Sequence, residues 1–154
     1  MSRTATRLAD FLPYRLSITS NAVSDLIARE YRTRFGLKIP EWRVMAVLGD
    51  VGAATQRELV AATRMDKVAV NRATGALGDR ALIARAPNAS DGRSHHLALT
   101  DAGRALYAEI MPLALQMETA MLTALDEVER TQLGALLVKL LDQADRLAAE
   151  EVRG

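Results

Sequence analysis

Lys67, Asn71 and Arg72 lie in a segment whose apolar residues, Val70, Ala73, Ala76 and Leu77, recur at spacings of three and four. On a helix the two sets fall on opposite faces, so the amide and the two cations stand together toward solvent. Side chains of this kind perform recognition chemistry. An Asn amide matches an adenine edge, an Arg guanidinium matches guanine or phosphate, and a Lys ammonium serves mainly as a phosphate contact. Just upstream, Thr55, Gln56 and Arg57 open another helix, where backbone N–H groups and the helix dipole suit a phosphate. Each cation alone is an ordinary solvated charge; the set points to nucleic acid.

Catalytic chemistry has a poorer footing. His95 and His96 are adjacent in a stretch of period two, so they point to opposite faces and cannot converge on one metal ion or act as a pair. No glycine-rich phosphate loop and no His-Glu-x-x-His pattern occurs. The chain holds no cysteine, which excludes disulfides, thiol-based redox sensing and cysteine-ligated zinc. No metal, cofactor or enzymatic activity is expected.

The elements that must position these residues are short. Thr55 and Glu58 form the Thr-x-x-Glu pattern of a capping box, and the helix they open stops near Thr63. Asp66 is a good N-cap for the next helix. Two short helices, a tight turn and an exposed polar first turn predict a helix-turn-helix. Leu82 to Ala86 is apolar and ends at Pro87, as a strand would. Asn88 to Arg93 is a dense turn cluster, and His95 to Thr100 alternates with period two. A β-hairpin appended to a helix-turn-helix is a winged helix.

The run Asp91-Gly92-Arg93-Ser94, followed by Leu97-Ala98-Leu99-Thr100-Asp101-Ala102-Gly103-Arg104, resembles the wing and following helix start of MarR-type transcriptional regulators. The resemblance covers nearly the whole chain. It implies a DNA-contact set of Thr55, Gln56, Arg57, Arg64, Lys67, Val68, Asn71 and Arg72 in the helix-turn-helix, with Ser90, Asp91, Arg93 and Ser94 in the wing. Arg93 would enter the minor groove, where negative potential favours it, and Asp91 would orient Arg93. The resemblance further implies a small phenolic or other aromatic effector. Phe11 to Ser17 together with Met65-Asp66-Lys67 is similar to regulators that respond to hydroxycinnamoyl-CoA thioesters, in which case Arg29, Arg32 or Arg34 would meet the CoA phosphates. One departure stands out: Ala81 occupies the helix end where the family usually has glycine, which leaves the last turn of the recognition helix weakly capped. Gly75 and Gly78 inside that helix cost stability relative to alanine or permit close approach of another element.

The remainder of the chain is helical and amphipathic. A helix is expected from Phe11 to about Arg34, after a frayed segment 1–10, with Gly36 as its left-handed cap. At 1.5 Å per residue it would be roughly 30 Å long, more than a winged helix needs. Ile39-Pro40-Glu41 opens the next helix, with Trp42, Met45 and Leu48 at spacing three. Thr100 caps a helix that Pro112 should kink, and Asp126 with Glu129 opens the last one. Leu133, Leu136, Leu137, Leu140, Leu141, Ala144, Leu147 and Ala148 follow as an unbroken stripe, which is expected to be buried between two chains. Candidate effector contacts are Ser20, Asn21, Arg29, Trp42, Met45, Tyr107 and Met111, each of which has a plain packing or solvent-facing reading beside it.

The 154 residues, 49% apolar, suffice for one domain with helical extensions. No apolar run spans a bilayer and no signal sequence opens the chain, so a cytoplasmic location is expected. Net charge is only +1, but residues 1–50 and 51–104 each carry +3 and residues 105–154 carry −5. The expected organisation is a mainly α fold with a small β-hairpin wing: residues 1–36 an N-terminal dimerisation helix, 37–100 the winged helix-turn-helix lobe, and 101–154 C-terminal dimerisation helices. The expected partners are double-stranded DNA bearing a palindromic operator, a second copy of the chain and a small aromatic effector, with no membrane. The function that follows is a repressor released by that effector. A winged helix that binds protein, or that binds DNA constitutively, is the alternative.

Overall fold

The computed structural model describes residues 7–86 and 95–153. A 3-10 turn at Leu8–Asp10, inside the segment expected to fray, precedes helix α1 (Leu12–Phe35). Then come α2 (Ile39–Val51), β1 (Ala53–Ala54), α3 (Gln56–Thr63), α4 (Lys67–Asp79), β2 (Ile83–Arg85), β3 (Leu97–Leu99), α5 (Asp101–Leu122) and α6 (Glu127–Glu151). Residues Met1–Ala114 form one compact unit and Leu115–Gly154 a second.

Local chemistry accounts for most of the boundaries. Gly36 takes a left-handed conformation (φ 62°) and donates its N–H to the Arg32 carbonyl, ending α1. Pro40 sits in the first turn of α2, where its missing N–H costs nothing, and Glu41 accepts the Lys38 N–H at 2.9 Å. α5 runs through Pro112 without a break. Asp126 and Glu129 exchange backbone N–H bonds at 2.8 and 2.9 Å, opening α6 as the sequence pattern predicts.

The three strands form an antiparallel sheet in the order β1-β3-β2. Ile83 pairs with Leu99 and Arg85 with Leu97, giving the expected hairpin arms, each shorter than its apolar run. Leu82 is excluded from β2 because its N–H caps α4. The third strand adds to the expected hairpin: Ala53 pairs with Ala98 and Ala54 with Leu97. Two alanines carry no period to detect.

The end of α4 is a correction. Ala81 adopts φ 55°, donates its N–H to Gly78 at 2.9 Å, and Leu82 donates to Leu77 at 3.0 Å. These two bonds make a complete Schellman cap, built on an alanine. The Thr100 hydroxyl holds it by donating to the Ala81 carbonyl at 2.6 Å. The same hydroxyl accepts the Gly103 N–H at 3.0 Å, capping α5. Gly103 is required here, since a Cβ would lie 2.0 Å from the Leu82 carbonyl oxygen.

The core of the first unit contains Tyr31, Leu37, Val44, Met45, Leu48, Leu59, Val70, Leu77 and Ile110, all at most 1% exposed. α2 lies at its centre, packed against α1, α3 and α4. α6 differs entirely: none of its residues is buried, and Leu133, Leu136, Leu137, Leu140, Leu141 and Leu147 are 41–55% exposed.

Candidate nucleic-acid interface

α3 and α4 are locked to each other before they present anything outward. The Thr55 hydroxyl accepts the Glu58 N–H at 3.2 Å, and the Glu58 carboxylate accepts the Thr55 N–H at 2.9 Å. That reciprocal cap narrows the expected phosphate site. The Thr55 N–H is consumed, leaving the Gln56 and Arg57 N–H groups, which have no intrahelical acceptor, at the positive end of α3. The Gln56 side chain is also committed: its Nε2 donates to the Thr74 hydroxyl at 2.7 Å, and Thr74 in turn donates to the Asn71 carbonyl at 3.2 Å. Gln56 Oε1 is buried without a partner. Gln56 therefore joins α3 to α4 through its side chain, and its backbone N–H remains at the helix start for a phosphate.

The turn between the helices places Arg64 at φ 55°, ending α3 with its N–H on the Val60 carbonyl at 3.0 Å. Asp66 then accepts the Ala69 N–H at 2.7 Å and starts α4. The two faces of α4 separate as the spacing predicts. Val70, Ala73, Thr74 and Leu77 are buried, while Lys67, Val68, Asn71, Arg72 and Gly75 are exposed. Val68 is an apolar side chain held 58% exposed between cations, a suitable contact for a thymine methyl group. Gly75 and Gly78 approach nothing, since a Cβ on either would meet open space. Of the two readings left open for them, close approach within the described protein is therefore removed. Gln56, Arg57, Val60 and Lys67 line a groove of about 380 Å³ between the two helix starts, with two cations on its rim. Ser90, Asp91, Arg93 and Ser94 lie outside the described residues.

A second feature lies across the first unit. Trp42 stacks on Tyr107 with ring centres 5.8 Å apart and meets Tyr31 edge-on at 5.2 Å. Burial pushes the Tyr31 phenol above its usual pKa. The Tyr107 ring packs against Gly49, where a Cβ would come within 2.6 Å of it. Beside it, Leu48, Gly49, Gly52, Leu99, Arg104 and Tyr107 line a cleft of about 340 Å³. Arg104 donates to the Leu99 carbonyl at 2.8 Å and pairs with Asp101.

Among the expected effector contacts, Trp42 and Tyr107 come together here. Met45 is wholly buried as core, and Met111 is half-buried one turn beyond Tyr107. Ser20, Asn21 and Arg29 are exposed on α1 and do not line this cleft. Arg34 pairs with Glu30 at 3.0 Å, and Arg32 is exposed. Sequence reading missed Thr74, which locks the two helices, and Arg104, which the Leu-Thr-x-x-Gly-Arg run could have signalled. Among the described residues no group of three or more His, Asp or Glu could hold a metal ion, and no helix is long and apolar enough to cross a membrane.

A helix-turn-helix locked from within, extended by a short sheet and flanked by long helices, is the winged-helix architecture of bacterial regulators. The model of the MarR family matches residues 35–94. The transcriptional repressor NicR of Pseudomonas putida is 31% identical over 98 residues, which are 64% of this chain and 62% of that repressor's length. The chain thus spans about three fifths of the repressor it matches. The structure of the MarR family regulator SPO1453 from Silicibacter pomeroyi is similar at 31% identity and a TM-score of 0.78, over 90% of this chain and 98% of that one. A MarR/EmrR family regulator from Acinetobacter sp. ADP1 is similar at 25% identity and a TM-score of 0.85, over 92% and 99%. The chain belongs to the MarR family, whose members found here are transcription regulators and not enzymes.

Proposed function

We propose that the protein is a homodimeric DNA-binding repressor, released when a small aromatic effector binds. One observation carries the reading: the exposed face of α4 gathers Lys67, Val68, Asn71 and Arg72, next to Arg57 at the start of α3. Asn71 reads adenine, Arg72 reads guanine or a phosphate, and Lys67, Arg57 and Arg64 hold the backbone. Arg93, oriented by Asp91, supplies the wing contacts together with Ser90 and Ser94. Two copies read a palindrome whose half-sites lie about one helical turn, ~34 Å, apart. Residues 1–36 and 101–154 hold the second copy, in support of which the apolar faces of α1 and α6 stand exposed in the single chain.

The effector is an aromatic acid or its thioester. The cleft beside Tyr107 combines that one aromatic ring with the Arg104 guanidinium, which would exchange its pairing with exposed Asp101 for a carboxylate on the ligand ring. Such a ligand weakens DNA binding only by favouring the conformation that DNA does not select. Selection of bound duplexes from a random library tests the reading. A palindrome with two half-sites is expected; absence of any enriched sequence would remove it.

A further inference from the structure

We infer that Arg80 is a positioning residue that ties the end of α1 to the end of α4 and so sets the half-site spacing. The inference rests on the dimeric DNA-binding reading above. α1 is embedded in the first unit only near its C-terminus, where Tyr31 is buried and meets Trp42. Its earlier apolar residues Leu12, Leu16 and Leu26 share one helix face and are exposed, as a face for a second copy would be. α1 is therefore a lever with one end in the lobe and the other against the partner.

The lobe end of that lever is held from an unexpected direction. Helix ends leave carbonyls without intrahelical donors. At the end of α1 the Phe35 and Gly36 carbonyls accept from Arg80, at 3.1 Å to Nη2 and 3.3 Å to Nη1. The planar guanidinium fork meets two successive carbonyls at once, and its charge lies at the negative end of the helix dipole. Arg80 is itself the residue that ends α4, one position before the left-handed Ala81. The Thr100 hydroxyl pins that turn from the far side. The backbone from which Arg80 springs is thus immobilised, and its side chain carries any shift of α1 directly to the recognition helix. A second route runs through the buried packing of α2, and Arg80 adds a direct polar tie beside it.

A recognition helix that swings freely loses discrimination between spacings before it loses contact with DNA. One base pair moves a half-site by roughly 3.4 Å along the duplex and rotates it about a tenth of a turn. The test uses the selected palindrome with its natural spacing, and with one base pair inserted or removed, against the wild type, Arg80→Met and Arg80→Lys. The wild type is expected to lose at least about tenfold in affinity on either altered spacing. Arg80→Met should bind the natural spacing roughly threefold to tenfold more weakly, yet lose no more than about threefold on the altered ones. Arg80→Lys, which keeps a donor and the charge, should fall between. Thermal melting within a few degrees of the wild type separates this outcome from misfolding. Retention of the full spacing penalty in Arg80→Met overturns the inference, whether affinity is unchanged or falls on all DNA with a reduced salt slope, the mark of a phosphate contact. A wild type indifferent to spacing would remove the dimeric reading and this inference together.

Discussion

The helix-turn-helix lobe and α6 use the same residue types in opposite ways. In the lobe, Leu48, Leu59, Val70 and Leu77 are essentially sealed from solvent by their own chain. In α6 a longer and more regular leucine stripe has none of its residues buried. Burying a leucine side chain contributes about 1.5–3 kcal/mol, so six left half-exposed represent a large unused driving force. A lobe that closes on itself needs no second copy to bury its core; if α6 packs in the proposed dimer, its stability would depend on concentration.

The comparison breaks most visibly at the stripe itself. Replacing Leu137 and Leu140 by Glu puts charge where a second copy is expected to pack, which is strongly unfavourable without a partner ion. Sedimentation equilibrium should then show the mass fall by half, while Leu59→Ala in the lobe, at a cost of about 2–5 kcal/mol, lowers the melting temperature without altering the mass. An unchanged mass in the Glu variant would mean that another surface holds the copies together.

Within the first unit the sharpest test is Gly103→Ala. Its Cβ would lie 2.0 Å from the Leu82 backbone oxygen, and backbone cannot yield as a flexible side chain can. A loss of about 3 kcal/mol is expected, read by chemical denaturation. Ala81→Gly should act in the other direction. Left-handed backbone costs alanine about 1–2 kcal/mol; glycine escapes that cost but forfeits part of the gain, because its freer unfolded chain loses more entropy on folding. A gain of about 1 kcal/mol is expected, with a raised denaturation midpoint and an unchanged slope.

These positions also show how far the sequence could be read. The caps at Thr55, Asp66, Gly36 and Asp126 were legible because the donor and acceptor lie within four residues. The division of α4 into a buried and an exposed face was legible from its spacing. What escaped depends on distant chain. Ala81 holds its turn with help from Thr100, nineteen residues on, and Arg80 reaches carbonyls 44 and 45 residues back. β1 exists because β3 offers it an edge. Gln56 was legible as a helix-start residue, but its engagement with Thr74 depends on the packing of two helices. Tyr107 and Trp42 were each legible as aromatic, and only the fold stacks them.

The measurement that bears most directly on the account is operator affinity across a salt series for the wild type, Lys67→Ala and Arg72→Ala. If the exposed face of α4 meets DNA, Lys67→Ala should weaken binding to all sequences and reduce the salt slope by about 2, one phosphate contact being lost from each copy. Arg72→Ala should cost about 1–3 kcal/mol per half-site and relax preference at one base pair in each. Wild-type affinity and slope in both variants would contradict the claim that this face is the DNA-binding surface.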